Sequence, residues 1–411
     1  MKRIYDRVCG IDVHRDTVNA CVRLPEHQEQ DDGLVAKFGT TTEDLLALRD
    51  WLNSLAVTHV AMESTGEYWR PVYYLLEDGF TVLLVNAQHV KHVPGHKTDA
   101  HDCIWLARLL ECGLLKGSFV PPQPIRDLRD LTRYRKVLTH QRTEEAQRLH
   151  GMLQKAGIKL SSAATDILGV SGRAMLDALV RGTTDPDTLA ELARGRLRAK
   201  LGLLKKALLG FFRPHHAVVV SEMLAHIDYL EEALERITQQ IREQIRPFAE
   251  QKQRLMTIPG CKDRTAEAVL AEIGADMSAF PSHQHIASWA GLCPGNRRSA
   301  GKRQPERIRK GNRWLRAALV QSAWAAIRED DSYLSAQYHR LVAHRGKKKA
   351  VVAVAHSMLV IAYHLLRDGV DYCDLGPDFF LKRNREAIQR RCVGQLQRLG
   401  YEVRLTAQKV A

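Results

Sequence analysis

Residues 97–110 read Lys97-Thr98-Asp99-Ala100-His101-Asp102-Cys103-Ile104-Trp105-Leu106-Ala107-Arg108-Leu109-Leu110, and this stretch decides the fold. Thr98 is a good N-cap and no Gly or Pro follows until Gly113, which predicts a helix. Asp99 and Asp102 are three residues apart, so they share one face of its first turn. Two neighbouring carboxylates repel each other unless a cation lies between them, although both also suit the positive end of a helix dipole. The stretch therefore predicts either a metal-binding pair or a pair that only stabilises the helix.

The segments before this helix follow a recognisable order. Apolar runs predict three strands in a meander, followed by helix, strand, helix and strand before the Asp99 helix. The predicted strands cover 7–13, 17–24, 34–40, 59–62 and 81–85, and the intervening helices begin near residues 41 and 67. This is the order of an α/β RNase H-like (RuvC-like) domain, in which the first strand and the strand after the first helix are neighbours in the sheet.

That order brings four carboxylates together from distant parts of the chain. Asp12 lies near the end of the first strand, Glu63 ends the fourth, and the last helix can bring Asp99 and Asp102 beside them. Each acid alone could be an ordinary turn or capping residue, but all four in this order favour a metal site. Carboxylates that hold two divalent cations suit phosphoryl transfer, and oxygen ligands suit Mg²⁺ or Mn²⁺. The eight cysteines show no CxxC pair and no zinc-ligand spacing, so they are expected to be reduced thiols.

Charge is unevenly distributed along the 411 residues. Residues 1–120 carry 12 Lys and Arg against 17 Asp and Glu, whereas the rest of the chain carries 49 against 30. The overall net charge of +14 indicates a polyanionic partner, and we expect DNA. An acidic module could then hold metal while a basic body holds phosphate.

No signal peptide or membrane span is expected. The chain begins close to a predicted strand, and its most apolar run, Ala350 to Leu366, contains two histidines and is too short to cross a bilayer comfortably. We expect a buried helix there. These features favour a cytoplasmic, nucleoid-associated protein without membrane contact.

The middle of the chain is predicted to be helical. A linker at 121–124 precedes a polar helix over 125–156, whose many arginines suit either phosphate contact or a solvated face. Further on, apolar residues recur at alternating spacings of three and four, which is typical of a coiled-coil seam. The seam consists of Met223, Ile227, Leu230, Leu234, Ile237, Ile241, Ile245 and Phe248. It could pair within one chain or between two chains, and we favour dimerisation because strand exchange needs more than one active site.

Two basic features follow the seam. Residues 255–270, with Gly260 and Lys262, resemble a helix-hairpin-helix that could direct backbone N–H groups at a phosphate, or are a plain loop that enters a helix. Residues 296–316 carry nine Lys and Arg against one acid. Ser299 lies in this basic loop, with candidate phosphate-binding residues Arg297, Arg298, Lys302 and Arg303 around it. From chemistry alone, Ser299 is either a phosphate contact or a nucleophile whose phosphoserine link needs charge neutralisation.

Four motifs in order resemble the insertion-sequence one-ten family of transposases. They are Gly10-Ile11-Asp12-Val13-His14, Met62-Glu63-Ser64-Thr65-Gly66, Lys97-Thr98-Asp99-Ala100-His101-Asp102, and Gly291-Leu292-Cys293-Pro294 through Ser299-Ala300-Gly301-Lys302. The resemblance implies that Asp12, Glu63, Asp99 and Asp102 hold metal and that Ser299 attacks DNA to form a covalent intermediate. It also implies a homo-oligomer (a dimer or tetramer) and a guide RNA from the element that selects donor and target DNA.

The predicted organisation is therefore a RuvC-like catalytic domain over 1–118, a helical linker and coiled-coil region over 119–254, and a helical serine transposase domain with a basic tail over 255–411. The predicted function is a DNA transposase, or site-specific recombinase, of a mobile element. One alternative is a RuvC-like, metal-dependent junction-resolving endonuclease that cuts by hydrolysis and uses Ser299 only as a contact. A second is a nucleic-acid-binding protein with a decayed active site, which the presence of all four acids and the serine argues against.

Overall fold

The computed structural model describes residues 3–27, 33–64, 66–85, 99–294, 298–299, 302–303, 308, 311–383 and 385–406. For residues 99–101, 298–299 and 302–303 it describes the backbone alone. The chain divides into two compact units, Met1–Val120 and Pro121–Ala411, and each is treated by itself below.

A mixed sheet forms the centre of the first unit. The strands described there are β1 (Val8–Val13), β2 (Val18–Arg23), β3 (Leu34–Phe38), β4 (His59–Glu63) and β5 (Thr81–Val85). Their spatial order is β3-β2-β1-β4-β5. The β1–β2 and β2–β3 pairs are antiparallel, whereas β1–β4 and β4–β5 are parallel. The expectation that the first strand and the strand after the first helix are neighbours is confirmed.

Helices cover the sheet because its central strands are apolar on both faces. Every residue of β1 is buried. Helix α1 (Thr42–Ser54) begins with a capping box between Thr41 and Asp44, and helix α2 (Trp69–Leu76) follows β4. Apolar side chains of α1 and α2 share one core with the sheet, namely Leu45, Leu48, Leu52, Val72 and Leu76. The remaining space over β1 is taken by a third helix.

That third helix, α3 (Asp99–Glu111), is the helix predicted from residues 97–110, and its existence is confirmed. The Thr98 cap lies outside the described residues. Gly10 of β1 lets the backbone of α3 come close to the strand at Cys103 and Ala107. At the C-terminal end of α3, buried Glu111 accepts hydrogen bonds from Arg3 Nε (2.5 Å) and Arg23 Nε (2.9 Å). The helix is therefore held against β1 near its middle and tied to Arg3 and Arg23 at its C-terminal end.

The described elements of the second unit are mainly helical. The helices are α4 (Gln123–Lys155), α5 (Val170–Val180), α6 (Pro186–Glu191), α7 (Leu201–Leu208), α8 (Pro214–Gln244), α9 (Ala249–Met256), α10 (Asp263–Ile273), α11 (His283–Trp289), α12 (Arg313–Ala326), α13 (Tyr333–Arg345), α14 (Lys347–Asp368), α15 (Phe379–Arg383) and α16 (Arg385–Arg398). Two short strands, β6 (Arg298–Ser299) and β7 (Lys302–Arg303), pair with each other.

The apolar seam of α8 packs against α4 of the same chain. Leu138 of α4 forms a core with Leu230 and Ala233, and Leu234 and Ile237 pack partly against it. Further along, Leu149 and Leu153 of α4 share a larger core with Val220, Leu224 and Ile227 of α8. This corrects our preference for pairing between two chains, because a helix of the same chain already buries much of the seam. An alternating three-and-four spacing fits either partner, so the sequence could not distinguish them.

The arginines of α4 pair with acids of the same unit. Arg129 and Arg133 contact Glu272 of α10, Arg135 contacts Glu267, and Arg142 contacts Glu231 of α8. At these positions the arginines are therefore engaged by acids of the chain, so the choice between phosphate contact and a solvated face did not include the pairing that the structure shows. Their acidic partners lie far away in the sequence, so the ion pairs could not be predicted from local sequence patterns.

Helix α14 contains the apolar run expected to form a buried helix. Within the described residues, α14 is the helix long and apolar enough to cross a membrane, but 56% of its most apolar window is buried inside the protein. Ala350, Val354, Ala355, Leu359 and Ala362 are completely or almost completely buried. The buried helix predicted here is confirmed.

Candidate active site

Asp12 and Glu63 occupy equivalent ends of two parallel strands. The register of β1 and β4 pairs Ile11 with Met62, and Asp12 and Glu63 are the next residues along each strand. Because the carboxyl ends of adjacent parallel strands meet at one edge of a sheet, both acids lie at that edge. The predicted order of the elements, which makes these two strands neighbours, was enough to predict this placement.

The carboxylate of Asp12 lies in an unfavourable environment for a negative charge. Its residue is only 8% exposed, and burial is the largest cause that raises its pKa above the ordinary value. His14 opposes that rise, because its Nε2 lies 3.0 Å from Asp12 Oδ2. The charges of Asp102 and Glu63 raise the pKa further. Three of the four predicted carboxylates therefore interact electrostatically.

Asp102 lies in the first turns of α3, which packs on β1. Asp99 begins that helix, but its side chain lies outside the described part of the structure. In the part of the chain that the structure describes, no group of three or more His, Cys, Asp or Glu side chains is arranged to hold a metal ion. The donors nevertheless fit a hard divalent cation, because carboxylate oxygens predominate and the mutual repulsion of Asp12, Glu63 and Asp102 favours a positive charge between them.

Two neighbours of Asp12 were not assigned a role from the sequence. His14 contacts the Asp12 carboxylate directly and appeared above only as part of the motif at residues 10–14. Cys103 follows Asp102, is fully buried, and has its pKa raised to about 11, first by burial and to a lesser extent by the charges of Asp12 and Asp102. A histidine two residues after a strand-terminal aspartate was the available signal for His14. The sequence carried no signal for Cys103.

The second unit contains Ser299 and the basic loop. Ser299 pairs with Lys302, and Arg298 pairs with Arg303, in the antiparallel β6–β7 ladder. The side chains of these four residues are not described, and Arg297 lies outside the described residues. The backbone thus brings the predicted nucleophile and three predicted phosphate-binding residues into one two-stranded element. The predicted carboxylates belong to the other unit.

The hairpin around Gly260 differs from a phosphate-binding turn. Gly260 has φ +74°, and its N–H donates to Glu329 Oε1 at 3.2 Å. Its carbonyl accepts a hydrogen bond from Ser322 Oγ at 2.7 Å. The sequence suggested that the Gly260 amide could donate to a phosphate. In the structure this amide donates to the carboxylate of Glu329 instead. Lys262 is exposed immediately before α10, and its role in binding nucleic acid stays a prediction.

Two family models match the chain in the order in which its motifs occur. Residues 9–158 match the DEDD transposase model of the IS110 type, and residues 252–339 match the transposase model of the IS116/IS110/IS902 family. The chain belongs to the IS110 family of transposases. The family that the sequence motifs resembled is thereby confirmed, and the first model includes Asp12, Glu63, Asp99 and Asp102 while the second includes Ser299.

This IS110-family transposase is also similar to individual proteins of insertion elements and to a gene-inverting protein. It is 27% identical over 326 residues to the transposase for insertion sequence element IS1111A of Coxiella burnetii, covering 76% of this chain and 79% of that protein. It is 35% identical over 121 residues to the uncharacterized 43.6 kDa protein of insertion element IS110 of Streptomyces coelicolor, covering 29% of each chain. It is also 33% identical over 118 residues to the pilin gene-inverting protein of Moraxella bovis, covering 28% of this chain and 36% of that protein.

Proposed function

We propose that this IS110-family transposase cleaves and rejoins DNA with a four-carboxylate metal site and a serine nucleophile. The observation that carries the proposal is the environment of Asp12, a buried carboxylate at a strand end on which the charges of Asp102 and Glu63 act. Such a cluster is stabilised by a cation, and a DNA-cleaving enzyme has a use for that cation. The strand order β3-β2-β1-β4-β5, with an antiparallel meander beside parallel strands, supports an RNase H-like domain.

Asp12, Glu63, Asp99 and Asp102 are the residues that we propose hold Mg²⁺ or Mn²⁺. When bound, the metal would stabilise negative charge on the oxygens of a reacting phosphodiester. The protein contributes a strand edge and a helix that is held against β1 and tied at its C-terminal end, so that Asp12 and Asp102, ninety residues apart, stay together. His14 shares the Asp12 carboxylate through its Nε2, so protonated His14 would compete with a cation for that oxygen.

Ser299 is the proposed nucleophile. In the proposed step, Ser299 Oγ loses its proton and bonds to the phosphorus of the scissile phosphodiester, and the sugar oxygen that leaves takes up a proton. A second attack by a sugar hydroxyl on the phosphoserine joins the new strand and regenerates Ser299. The basic residues Arg297, Arg298, Lys302 and Arg303 would neutralise the phosphate during both steps. Support comes from their sequence around Ser299 and from the β6–β7 pairing.

We further propose a guide RNA and a homo-oligomer, a dimer or tetramer, on the strength of the family alone. In that case the carboxylates of one subunit could serve Ser299 of another. The three predicted domains, 1–118, 119–254 and 255–411, remain part of this proposal. The alternative is a resolvase that cuts by water attack, for which the same carboxylates would suffice.

The test is a denatured reaction mixture with Mg²⁺ and labelled element-end DNA, supplied with the element's RNA. Wild type should leave DNA covalently attached to protein, with the link mapped by mass spectrometry to Ser299. Ser299→Ala should bind DNA but form no adduct, whereas Ser288→Ala, at an exposed serine of α11, should form it normally. Cleavage by Ser299→Ala with free DNA ends would establish the resolvase instead.

The metal site is tested separately. Asp102→Asn should bind DNA and lose cleavage, and full activity of this variant in Mg²⁺ would refute the carboxylate site. A mixture of Ser299→Ala and Asp102→Asn subunits distinguishes the two subunit arrangements. Recovered activity would show that one subunit supplies the serine and another the carboxylates.

A further inference from the structure

A basic cavity lies between α4, α10 and α12 of the second unit. Its volume is about 180 Å³. Because a cavity of about 10–15 Å³ is enough to hold one water, there is room for a ligand of several heavy atoms. Its cationic lining residues are Arg133, Arg135 and Lys136 of α4 and Arg264 of α10. The acid among its lining residues is Glu272.

Glu272 does not present a free negative charge to this cavity. It accepts Arg133 Nε at 2.7 Å and Arg133 Nη2 at 2.8 Å, and it also accepts Asn312 Nδ2 at 2.5 Å. Arg129 Nε lies 3.4 Å from the same carboxylate. Two arginines therefore share one glutamate, which is only 1% exposed. The acid locks Arg133 in place and leaves an excess of positive charge.

Arg135 supplies an unused donor. The residue is 5% exposed, and its Nη2 lies 2.7 Å from Glu267 Oε2. The pair is close but poorly aligned, because Arg135 Nη1 and Glu267 Oε2 both lack a hydrogen bond to any part of the chain that the structure describes. Glu267 is also shared with Lys252 Nζ at 3.0 Å. A buried guanidinium nitrogen without an acceptor is costly, and Arg135 lines the cavity, so a ligand oxygen that reached Nη1 would relieve that cost.

The mouth of the cavity adds two exposed cations. Lys136 and Arg264 lie on different helices, and neither has an ion pair with an acid in the described ranges. An anion with several oxygens could therefore meet a buried guanidinium and two exposed cationic side chains in one cavity. Guanidinium groups match phosphate geometry, and hydrogen bonds between charged partners are stronger than neutral ones.

We propose that this cavity is a binding site for a backbone phosphate of a nucleic-acid strand, separate from the carboxylate cluster and from the Ser299 loop. Nucleic acid is the favoured source because the unit that contains the cavity carries 49 Lys and Arg against 30 Asp and Glu. The inference rests on the proposed function only in taking nucleic acid as the ligand. Binding here anchors a strand and involves no bond cleavage.

The test measures equilibrium binding of a labelled single-stranded oligonucleotide by fluorescence anisotropy in EDTA, with DNA in one arm and RNA in the other. Lys136→Gln combined with Arg264→Gln should weaken binding by roughly tenfold and lower the slope of log affinity against log salt by about 1. Both residues are exposed, so the fold should be retained. The matched control, Lys155→Gln with Lys206→Gln, removes the same charge at exposed positions that do not line the cavity.

Arg135→Lys provides the second variant. It keeps a positive charge for Glu267 but removes the unpaired Nη1, and it should weaken oligonucleotide binding while its circular dichroism stays that of wild type. Inorganic phosphate at millimolar concentration should compete with the oligonucleotide in wild type and much less in Arg135→Lys. If free phosphate binds the cavity and the oligonucleotide does not depend on it, the nucleic-acid assignment is wrong.

Two outcomes separate this inference from the proposed function. If wild type and the cavity double variant bind equally well, or if the control loses as much affinity as the cavity variant, the cavity site is refuted while the transposase proposal stands. If wild type binds neither DNA nor RNA, both proposals are refuted.

Discussion

Gly10 of β1 lies directly against Cys103 of α3. A Cβ atom at Gly10 would lie 2.1 Å from the carbonyl oxygen of Cys103 and 2.4 Å from the amide nitrogen of Ala107. Only a residue without a side chain permits this approach. Gly10 lies two residues before Asp12, and Cys103 is the residue after Asp102. Their contact therefore sets how closely α3 brings Asp102 to the strand end.

Gly10→Ala should therefore displace α3. We expect the free energy of unfolding of the first unit to fall by about 1–3 kcal/mol, which is typical of overpacking. We also expect metal-dependent cleavage to be lost, because Asp102 moves away from the strand end. Chemical denaturation and a cleavage assay measure the two effects. Gly79→Ala is the matched control, because nothing lies within 4 Å of a Cβ there. Equal stability of the two variants would show that the helix adjusts without cost.

The raised pKa of Asp12 predicts how stability changes with pH in the absence of metal. In the unfolded chain Asp12 releases its proton near its ordinary pKa of about 3.9, whereas in the folded protein it keeps the proton to higher pH. The folded state then binds more protons, so stability falls as pH rises from the ordinary pKa through the raised one. Asp12→Asn should remove this fall. Thermal melts across that pH range in EDTA measure it, with Asp16→Asn, an exposed neighbour, as control. A fall of the same size in both variants would contradict the assignment to Asp12.

Glu111 is predicted to stabilise the first unit by holding two arginines. Its side chain is 9% exposed and contacts Arg3 and Arg23. Glu111→Gln should cost about 1.5–3 kcal/mol of unfolding free energy, because it removes the charge of a buried carboxylate that accepts hydrogen bonds from two arginines. Glu26→Gln breaks the Arg7 pair, whose acid is 55% exposed, and should cost at most about 1 kcal/mol. Denaturant titration of both variants gives the comparison, and a small effect at Glu111 would mean that water replaces the carboxylate.

The seam of α8 should behave as a core and not as a subunit interface. Leu230 is 2% exposed, so Leu230→Ala should cost about 2–5 kcal/mol of unfolding free energy without changing the molecular mass in sedimentation. Tyr229→Ala removes a neighbouring side chain that is 59% exposed and should change stability little. If Leu230→Ala keeps the stability of wild type but forms a smaller assembly than wild type, the seam lies in a subunit interface after all.

Local patterns predicted the strands and the Asp99 helix, because these depend on apolar periodicity and on short-range signals, and the order of these elements predicted the edge shared by Asp12 and Glu63. The partners of charged side chains could not be predicted in this way. Arg133 meets Glu272 from 139 residues away, and this pairing is set by how helices pack. The contact between His14 and Asp12 could not be predicted for a different reason, since it depends on the shape of a turn that its sequence does not specify.

The length of α4 has a consequence for engineering. With 33 residues at about 1.5 Å each, the helix is roughly 50 Å long. Near its start, Arg129, Arg133 and Arg135 contact glutamates of α10. Near its end, Leu149 and Leu153 pack in the core with α8. The match to the first family model ends at residue 158, beyond this helix, whereas the compact unit begins at Pro121. A chimaera joined at 158 would separate the arginines of α4 from the glutamates of their own α10, and a foreign α10 would have to supply matching acids. A chimaera joined at the 120–121 boundary keeps every one of these pairs in a single parent.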